Sequence, residues 1–129
     1  MVRALVITHG GIGEELVRVA ELILGPQEGL DAATNSGRSA ADLAGLVRGW
    51  LDADPGTPAI IMIDDYGGSC ANAAQLAGGE RGDTIVLAGV NLAMVLGFLT
   101  WRDSDEPAAL AQRIIDKGRD AIMKLGGVQ

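Results

Sequence analysis

The stretch Ala59-Ile60-Ile61-Met62-Ile63-Asp64-Asp65-Tyr66-Gly67-Gly68-Ser69 decides the fold. Its first five residues are apolar without a break. A strand with one wet face alternates apolar and polar positions. A strand covered on both faces does not, and such strands belong to parallel sheets flanked by helices. The run then stops at two aspartates and a glycine pair, which mark a turn. Near the N-terminus the same design appears again. Val2–Thr8 is apolar and rich in β-branched residues, and it ends in His9-Gly10-Gly11.

Helical spacing fills the gaps between such runs. Ile12, Leu16, Val19, Ala20, Ile23 and Leu24 fall on one helical face, and Gly25-Pro26 closes that helix. Leu30–Thr34 reads as a second, weaker strand. Ser39 followed by Asp42 makes a capping-box-like start, and Leu43, Leu46, Val47, Trp50 and Leu51 carry an apolar stripe up to Asp54-Pro55-Gly56. Cys70–Ala77 reads as a third helix and Thr84–Ala88 as a fourth strand. Asn91 suits the N-cap of a fourth helix. Glu106-Pro107 opens a fifth, with Leu110, Ile114, Ile115 and Ile122 as its apolar positions. Strands alternating with helices imply βαβ units. The pattern predicts an α/β chain in three layers, α/β/α, around a mostly parallel sheet of four strands. Residues 1–129 are expected to form a single domain.

Composition bounds the function. The chain has 129 residues, 48% of them hydrophobic and 21% charged, which suits a globular domain able to hold a core without staples. Seventeen acidic residues against ten basic ones give a net charge of −7. With no basic cluster and only four aromatic residues (Trp50, Tyr66, Phe98 and Trp101), no nucleic-acid partner is expected. The apolar runs fall far short of the ~20 residues that a membrane span requires, so no membrane insertion is expected. The opening MVRALVITHGG runs straight into a strand-like segment, and no signal peptide is expected. Cys70 is the only cysteine. It rules out an internal disulfide and a zinc site built from cysteines, and it fits the reducing cytoplasm.

In open parallel sheets, ligands gather beyond the carboxyl ends of strands, where the strand order reverses. For an order 2-1-3-4 that crevice lies between strands one and three. It would bring His9-Gly10-Gly11 against Asp64-Asp65-Tyr66-Gly67-Gly68-Ser69. His9 is the only histidine, and a neutral imidazole is both a good nucleophile toward phosphorus and a general base. A carboxylate can hold one ring nitrogen as N–H and leave the lone pair of the other free. Asp64 and Asp65 both qualify, and strand alternation lets only one of them reach the ring. Gly10, Gly11 and Gly13 before the first helix, and Gly67, Gly68 and Ser69 before the third, offer backbone N–H groups to an oxyanion. Ser69 reads as the cap of the third helix and Cys70 as a packed core residue. Trp50 and Trp101 read as packing residues, and Asp103-Ser104-Asp105-Glu106 as a solvated loop. Two familiar motifs fail. A dinucleotide fingerprint starting at Gly11-Ile12-Gly13 meets Leu16 where its third glycine belongs. A nucleophile elbow at Gly67-Gly68-Ser69-Cys70-Ala71 ends in alanine, in a chain too short and with its histidine too early for an α/β-hydrolase.

Taken together, the motifs resemble the mannose-type enzyme IIA domains of the bacterial phosphoenolpyruvate:sugar phosphotransferase system. Val6-Ile7-Thr8-His9-Gly10-Gly11-Ile12-Gly13-Glu14 resembles their opening, and Leu24-Gly25-Pro26-Gln27-Glu28-Gly29 the segment after their first helix. Asp64–Ser69 with Asn72-Ala73-Ala74 resembles their D-x-aromatic-G-G-S…N-A-A signature. Gly89-Val90-Asn91-Leu92-Ala93-Met94 and Gly118-Arg119 follow in order. The resemblance implies that His9 takes a phosphoryl group from an HPr-like phosphocarrier protein and passes it to an enzyme IIB component during sugar uptake. It implies that Asp64 bonds the imidazole and that Ser69 lies by the phosphate. It implies a phosphotransferase that needs no metal or organic cofactor. It also implies a cytoplasmic homodimer that exchanges a fifth, antiparallel C-terminal strand, for which Ala121–Leu125 is the candidate here. The sequence holds no IIB-like segment after Gly118-Arg119, so a solitary IIA is expected. An alternative within that reading is a regulatory module in which phosphorylation of His9 switches a protein–protein interaction. Three residues depart from the family pattern. Cys70 replaces a proline, Ala71 a larger residue, and Ala93 the proline of G-V-N-x-P-M. They bear on the partner-facing surface more than on the acceptor.

Overall fold

Arg3–Thr8 (β1), Leu30–Thr34 (β2), Ala59–Ile63 (β3) and Thr84–Ala88 (β4) form one all-parallel sheet in the order β2-β1-β3-β4. The computed structural model describes residues 1–79 and 81–127. The five helices are Ile12–Leu24 (α1), Ala40–Asp52 (α2), Ser69–Gly78 (α3), Leu92–Trp101 (α4) and Pro107–Asp120 (α5). The step from β1 to β2 runs one way along the sheet, and the later steps run the other way. Crossovers of one handedness therefore place α1 on one face and α2 and α3 on the opposite face. α4 and α5 pack on the face of α1. The expected three-layer α/β/α arrangement and its 2-1-3-4 order are what the chain adopts.

Every residue of β1 and β3 is buried, as an unbroken apolar run requires. Their side chains divide by alternation. Ala4, Val6, Ile60 and Met62 meet Val17, Phe98, Leu110 and Ile114 on the α1 face. Leu5, Ile7, Ile61 and Ile63 meet Leu43, Val47, Ala71 and Ala74 on the other. Helix ends follow the local chemistry. Ser39 and Asp42 close a capping box on α2, and the Asn91 side chain accepts from the Met94 N–H at 3.0 Å to start α4. The register pairs Thr8 with Thr34 and Ile7 with Ile63, so the turns after β1, β2 and β3 emerge side by side.

The opposite end of the sheet is pinned by buried arginines that composition does not reveal. Arg102 is 4% exposed. Its Nε and Nη2 donate to the Val2 carbonyl at 3.1 and 2.6 Å, its Nη1 donates to the Glu28 carbonyl at 2.7 Å, and its guanidinium lies over the Phe98 ring. Gly29 sits in the left-handed region (φ +70°), and a Cβ there would lie 2.6 Å from Arg102 Nη2, so glycine serves both the turn and the approach. Arg3 likewise donates to the carbonyls of Trp50 and Leu51 and stacks on the Trp50 ring. Trp50 and Trp101 therefore pack against cations: Arg3 covers the first, and Arg113 and Lys117 cover the second.

Residues 121–127 are exposed turn and coil in this single chain, so Ala121–Leu125 forms no strand within it. A cavity of about 400 Å³ runs beside β4, lined by Ala88, Gly89, Asn91, Ile115 and Ile122 among others.

Replacing Arg102 with Met keeps its bulk but strands the carbonyls of Val2 and Glu28. Urea unfolding at neutral pH is expected to show a loss of about 3 kcal/mol. Arg102→Lys, with a point charge in place of a fork, is expected to recover less than half of it. A loss inside experimental error would contradict this role.

Candidate functional site

At the end of β1 the chain turns sharply out of the sheet. Gly10 adopts φ +59°, a conformation that L side chains rarely take, and this directs His9 beyond the strand ends. β3 ends alongside, at Asp64. One carboxylate oxygen, Asp64 Oδ2, receives two bonds from the same residue. The His9 backbone N–H donates to it at 3.0 Å, and the ring Nδ1 lies 3.0 Å from it. An ionised carboxylate only accepts, so Nδ1 carries the hydrogen, and in the neutral form of the ring Nε2 keeps its lone pair. The His9 side chain is 46% exposed and that of Asp64 only 17%. Burial pushes the Asp64 carboxyl pKa up, but the bonds and charge from His9 outweigh it and hold the value below the ordinary one. The sequence left Asp64 and Asp65 as rivals. The fold brings Asp64 to the ring and leaves Asp65 exposed.

Gly68 forms the floor of the site. A Cβ there would lie 3.1 Å from His9 Cε1 and 3.3 Å from Nε2, so any side chain would crowd the ring. Gly67, at φ +112°, makes the turn that delivers it. α1 begins two residues after Gly10 and α3 begins at Ser69. Two helix N-termini, with the positive ends of their dipoles, therefore open beside the imidazole. Ser69 does not cap α3 as its position in the sequence suggested. Gly68 is the N-cap, without a side-chain bond, and Ser69 is the first helical residue. Its hydroxyl accepts from Asn35 Nδ2 at 3.5 Å instead. The Gly10 amide is also engaged, since it donates to Asn35 Oδ1 at 3.3 Å. Of the glycines expected to cradle an anion, Gly10 makes the turn and has its amide engaged, Gly68 lies against the ring, and Gly11 and Gly67 have no neighbour within 4 Å of a Cβ position.

Two residues of this site escaped the sequence reading. Asn35 directly follows β2 and bridges the turns after β1 and β3. Thr8 is fully buried, and its Oγ1 accepts the Gly13 N–H at 2.7 Å, which anchors the start of α1. A polar residue just past a parallel strand is the signal that would have found Asn35. Cys70, read as a core residue, is fully buried. Burial pushes its thiol pKa up, the Asp64 charge adds to this, and a hydrogen bond from Ser69 opposes it. Beside the site, Gly11, Ile12, Leu16, Val19 and Leu92 line an apolar depression of about 460 Å³. No helix among the described residues is long and apolar enough to cross a membrane. The arrangement presents an oriented imidazole, 46% exposed, beside two helix N-termini that favour negative charge.

Comparison with known proteins shows the family and the fold. The family model EIIA-man, described as PTS system fructose IIA component, matches residues 3–115. A mannose-specific EIIAB component of the phosphotransferase system from Escherichia coli K12 is 34% identical over an alignment covering 97% of this chain. That alignment covers 40% of the relative, so the chain spans well under half of it. Among solved structures, a phosphotransferase system component EIIA from Streptococcus agalactiae superposes with a TM-score of 0.89 at 23% identity, covering 96% of this chain and 97% of its own. A mannose/sorbose-specific IIA subunit from Enterococcus faecalis gives 0.85 at 21% identity, covering 98% and 96%. At these identities the two structures speak for the fold.

Because Asp64 holds a lowered pKa in the folded chain, its contribution to stability is full above the unfolded carboxylate value. It is lost as pH falls through the lower folded value. The stability gap between the natural chain and Asp64→Asn is therefore expected to be widest at neutral pH and to close on acidification. Urea titrations across that range measure it, and a gap that does not change with pH would count against the His9–Asp64 bond.

Proposed function

The chain belongs to the EIIA-man family of phosphotransferase-system IIA components, and on that premise we propose that His9 is a transient phosphoryl carrier between an HPr-like phosphocarrier protein and an enzyme IIB component in sugar uptake. The observation that carries this reading is the bond of 3.0 Å between Nδ1 and Asp64 Oδ2 on a ring that is 46% exposed. His9 Nε2 attacks the phosphorus of the donor phosphohistidine in line. The new N–P bond forms as the donor's N–P bond breaks, and the donor imidazole leaves with that electron pair. The second transfer runs the same exchange toward the IIB acceptor. Asp64 keeps Nδ1 protonated and offsets the positive charge that a phosphorylated imidazole ring carries. Such transfer rests on positioning and electrostatics, and no metal or organic cofactor enters it. The ends of α1 and α3, with Gly11, Gly67, Gly68 and the Ser69 hydroxyl, face the phosphoryl oxygens, and Gly10 sets the turn.

Protein partners suit this surface. The apolar depression at Ile12, Leu16, Val19 and Leu92 adjoins the ring, and Ile12 is 54% exposed. A cytoplasmic homodimer completes the reading. The outer edge of β4 and the cavity beside it would receive Ala121–Leu125 of a second copy as an antiparallel strand. Ile122, Met123 and Leu125 are exposed apolar residues on that segment, which supports such an exchange.

Incubation with phosphoenolpyruvate, enzyme I and HPr tests the central step. The expected label is acid-labile, base-stable and absent from His9→Ala, while Asp64→Asn slows its appearance on the order of a hundredfold. No label from a competent carrier would refute the proposal. A label that no IIB accepts, but that changes which proteins the chain retains, would favour the regulatory alternative.

A further inference from the structure

At the imidazole lies a group that the proposed phosphoryl transfer uses only in part, since it leaves Cys70 without a role. One ring nitrogen of His9, one carboxylate oxygen of Asp64 and the sulfur of Cys70 all lie within 4.8 Å of one another. The sequence excluded a zinc site built from cysteines. The fold instead gathers three different donors from positions 9, 64 and 70, on the ends of two strands and the first turn of one helix. A second observation comes from the same place. Asp64 Oδ1 is buried and has no hydrogen-bond partner among the described residues. An orphaned carboxylate oxygen in a buried setting is costly, and a bound cation relieves that cost.

We propose that His9, Asp64 and Cys70 form a binding site for a thiophilic divalent cation, Zn²⁺ in particular, whose occupancy blocks phosphorylation of His9. The donor set selects the ion. A thiolate disfavours Mg²⁺ and Ca²⁺, whereas imidazole, carboxylate and thiolate together suit Zn²⁺ and its spectroscopic surrogate Co²⁺. Three donors no more than 4.8 Å apart leave a point within about 2.8 Å of all of them, and metal–ligand bonds of about 2.0–2.3 Å need only small side-chain adjustments. The exposed ring gives the ion its entrance, and the buried sulfur is the innermost donor. On binding, the Cys70 thiol releases its proton to solvent as the sulfur–metal bond forms, the ring coordinates through a nitrogen that bears no hydrogen (ligation by Nδ1 moves its hydrogen to Nε2), and no oxidation state changes. Three protein ligands leave a fourth position to water, the arrangement of exchangeable rather than closed structural sites. The cation site itself does not depend on the proposed function. Only its consequence for phosphorylation does.

Co²⁺ titration of the untagged protein tests the site directly. The expected result is a thiolate-to-cobalt charge-transfer band that saturates at one equivalent and is displaced by Zn²⁺. Cys70→Ser is expected to lose the band and to weaken Zn²⁺ binding by roughly tenfold or more. His9→Gln, which leaves the core thiol untouched, should weaken binding comparably and guards against a folding defect in the cysteine variant. A titration without the band, or with a band that survives in His9→Gln, overturns the site. In a separate arm, Zn²⁺ is expected to suppress His9 labelling by phospho-HPr in the natural chain and to lose that effect in Cys70→Ser. Equal suppression in both proteins would overturn the proposed antagonism. A metal-free protein that takes no label would instead count against the phosphoryl-carrier reading and leave the cobalt result standing.

Discussion

A single oxygen atom, Asp64 Oδ2, holds both the backbone and the ring of His9. That pair of hydrogen bonds to one acceptor is the constraint on which the site depends. It ties the end of β1 to the end of β3, and it fixes which ring nitrogen bears hydrogen. A histidine left free on a surface turn would sample both tautomers and many orientations. Here the ring is bounded by Asp64 on one nitrogen and by the backbone of Gly68 against the other side.

The fold supplies this constraint cheaply because the strand order reverses between β1 and β3. Neighbouring parallel strands end at the same level, so residues far apart in sequence meet without a dedicated loop. α1 and α3 leave the sheet toward opposite faces, and the N-termini of both remain beside the ring. The far end of the sheet carries the opposite character. There Arg3 and Arg102 bond carbonyl groups and cover aromatic rings, which stabilises the scaffold at the end away from His9.

Most of the fold was legible in the residues. The unbroken apolar run at Ala59–Ile63 announced a doubly covered strand, and the capping chemistry at Ser39 and Asn91 located two helix starts. His9 and Asp64 were legible as well, because the turn chemistry after two predicted strands pointed to one crevice. What escaped has a common cause. Asn35, Thr8 and Arg102 act through partners that lie near only once the sheet is assembled, and no local pattern marks such pairings. Ser69 misled for a related reason: a serine before a helix looks like a cap, yet the turn at Gly67 and Gly68 moves the cap one residue earlier. The grouping of Cys70 with His9 and Asp64 was invisible for the same reason, since each came from a different segment.

In the proposed transfer Nδ1 is the nitrogen bonded to Asp64 and Nε2 is the reactive one. The direct measurement is nuclear magnetic resonance of the phosphorylated protein, with its histidine labelled with nitrogen-15. Phosphorus coupling to Nε2, with Nδ1 still protonated against Asp64, is the predicted result. A phosphoryl group on Nδ1, or no phosphorus coupling to the His9 ring, would contradict it.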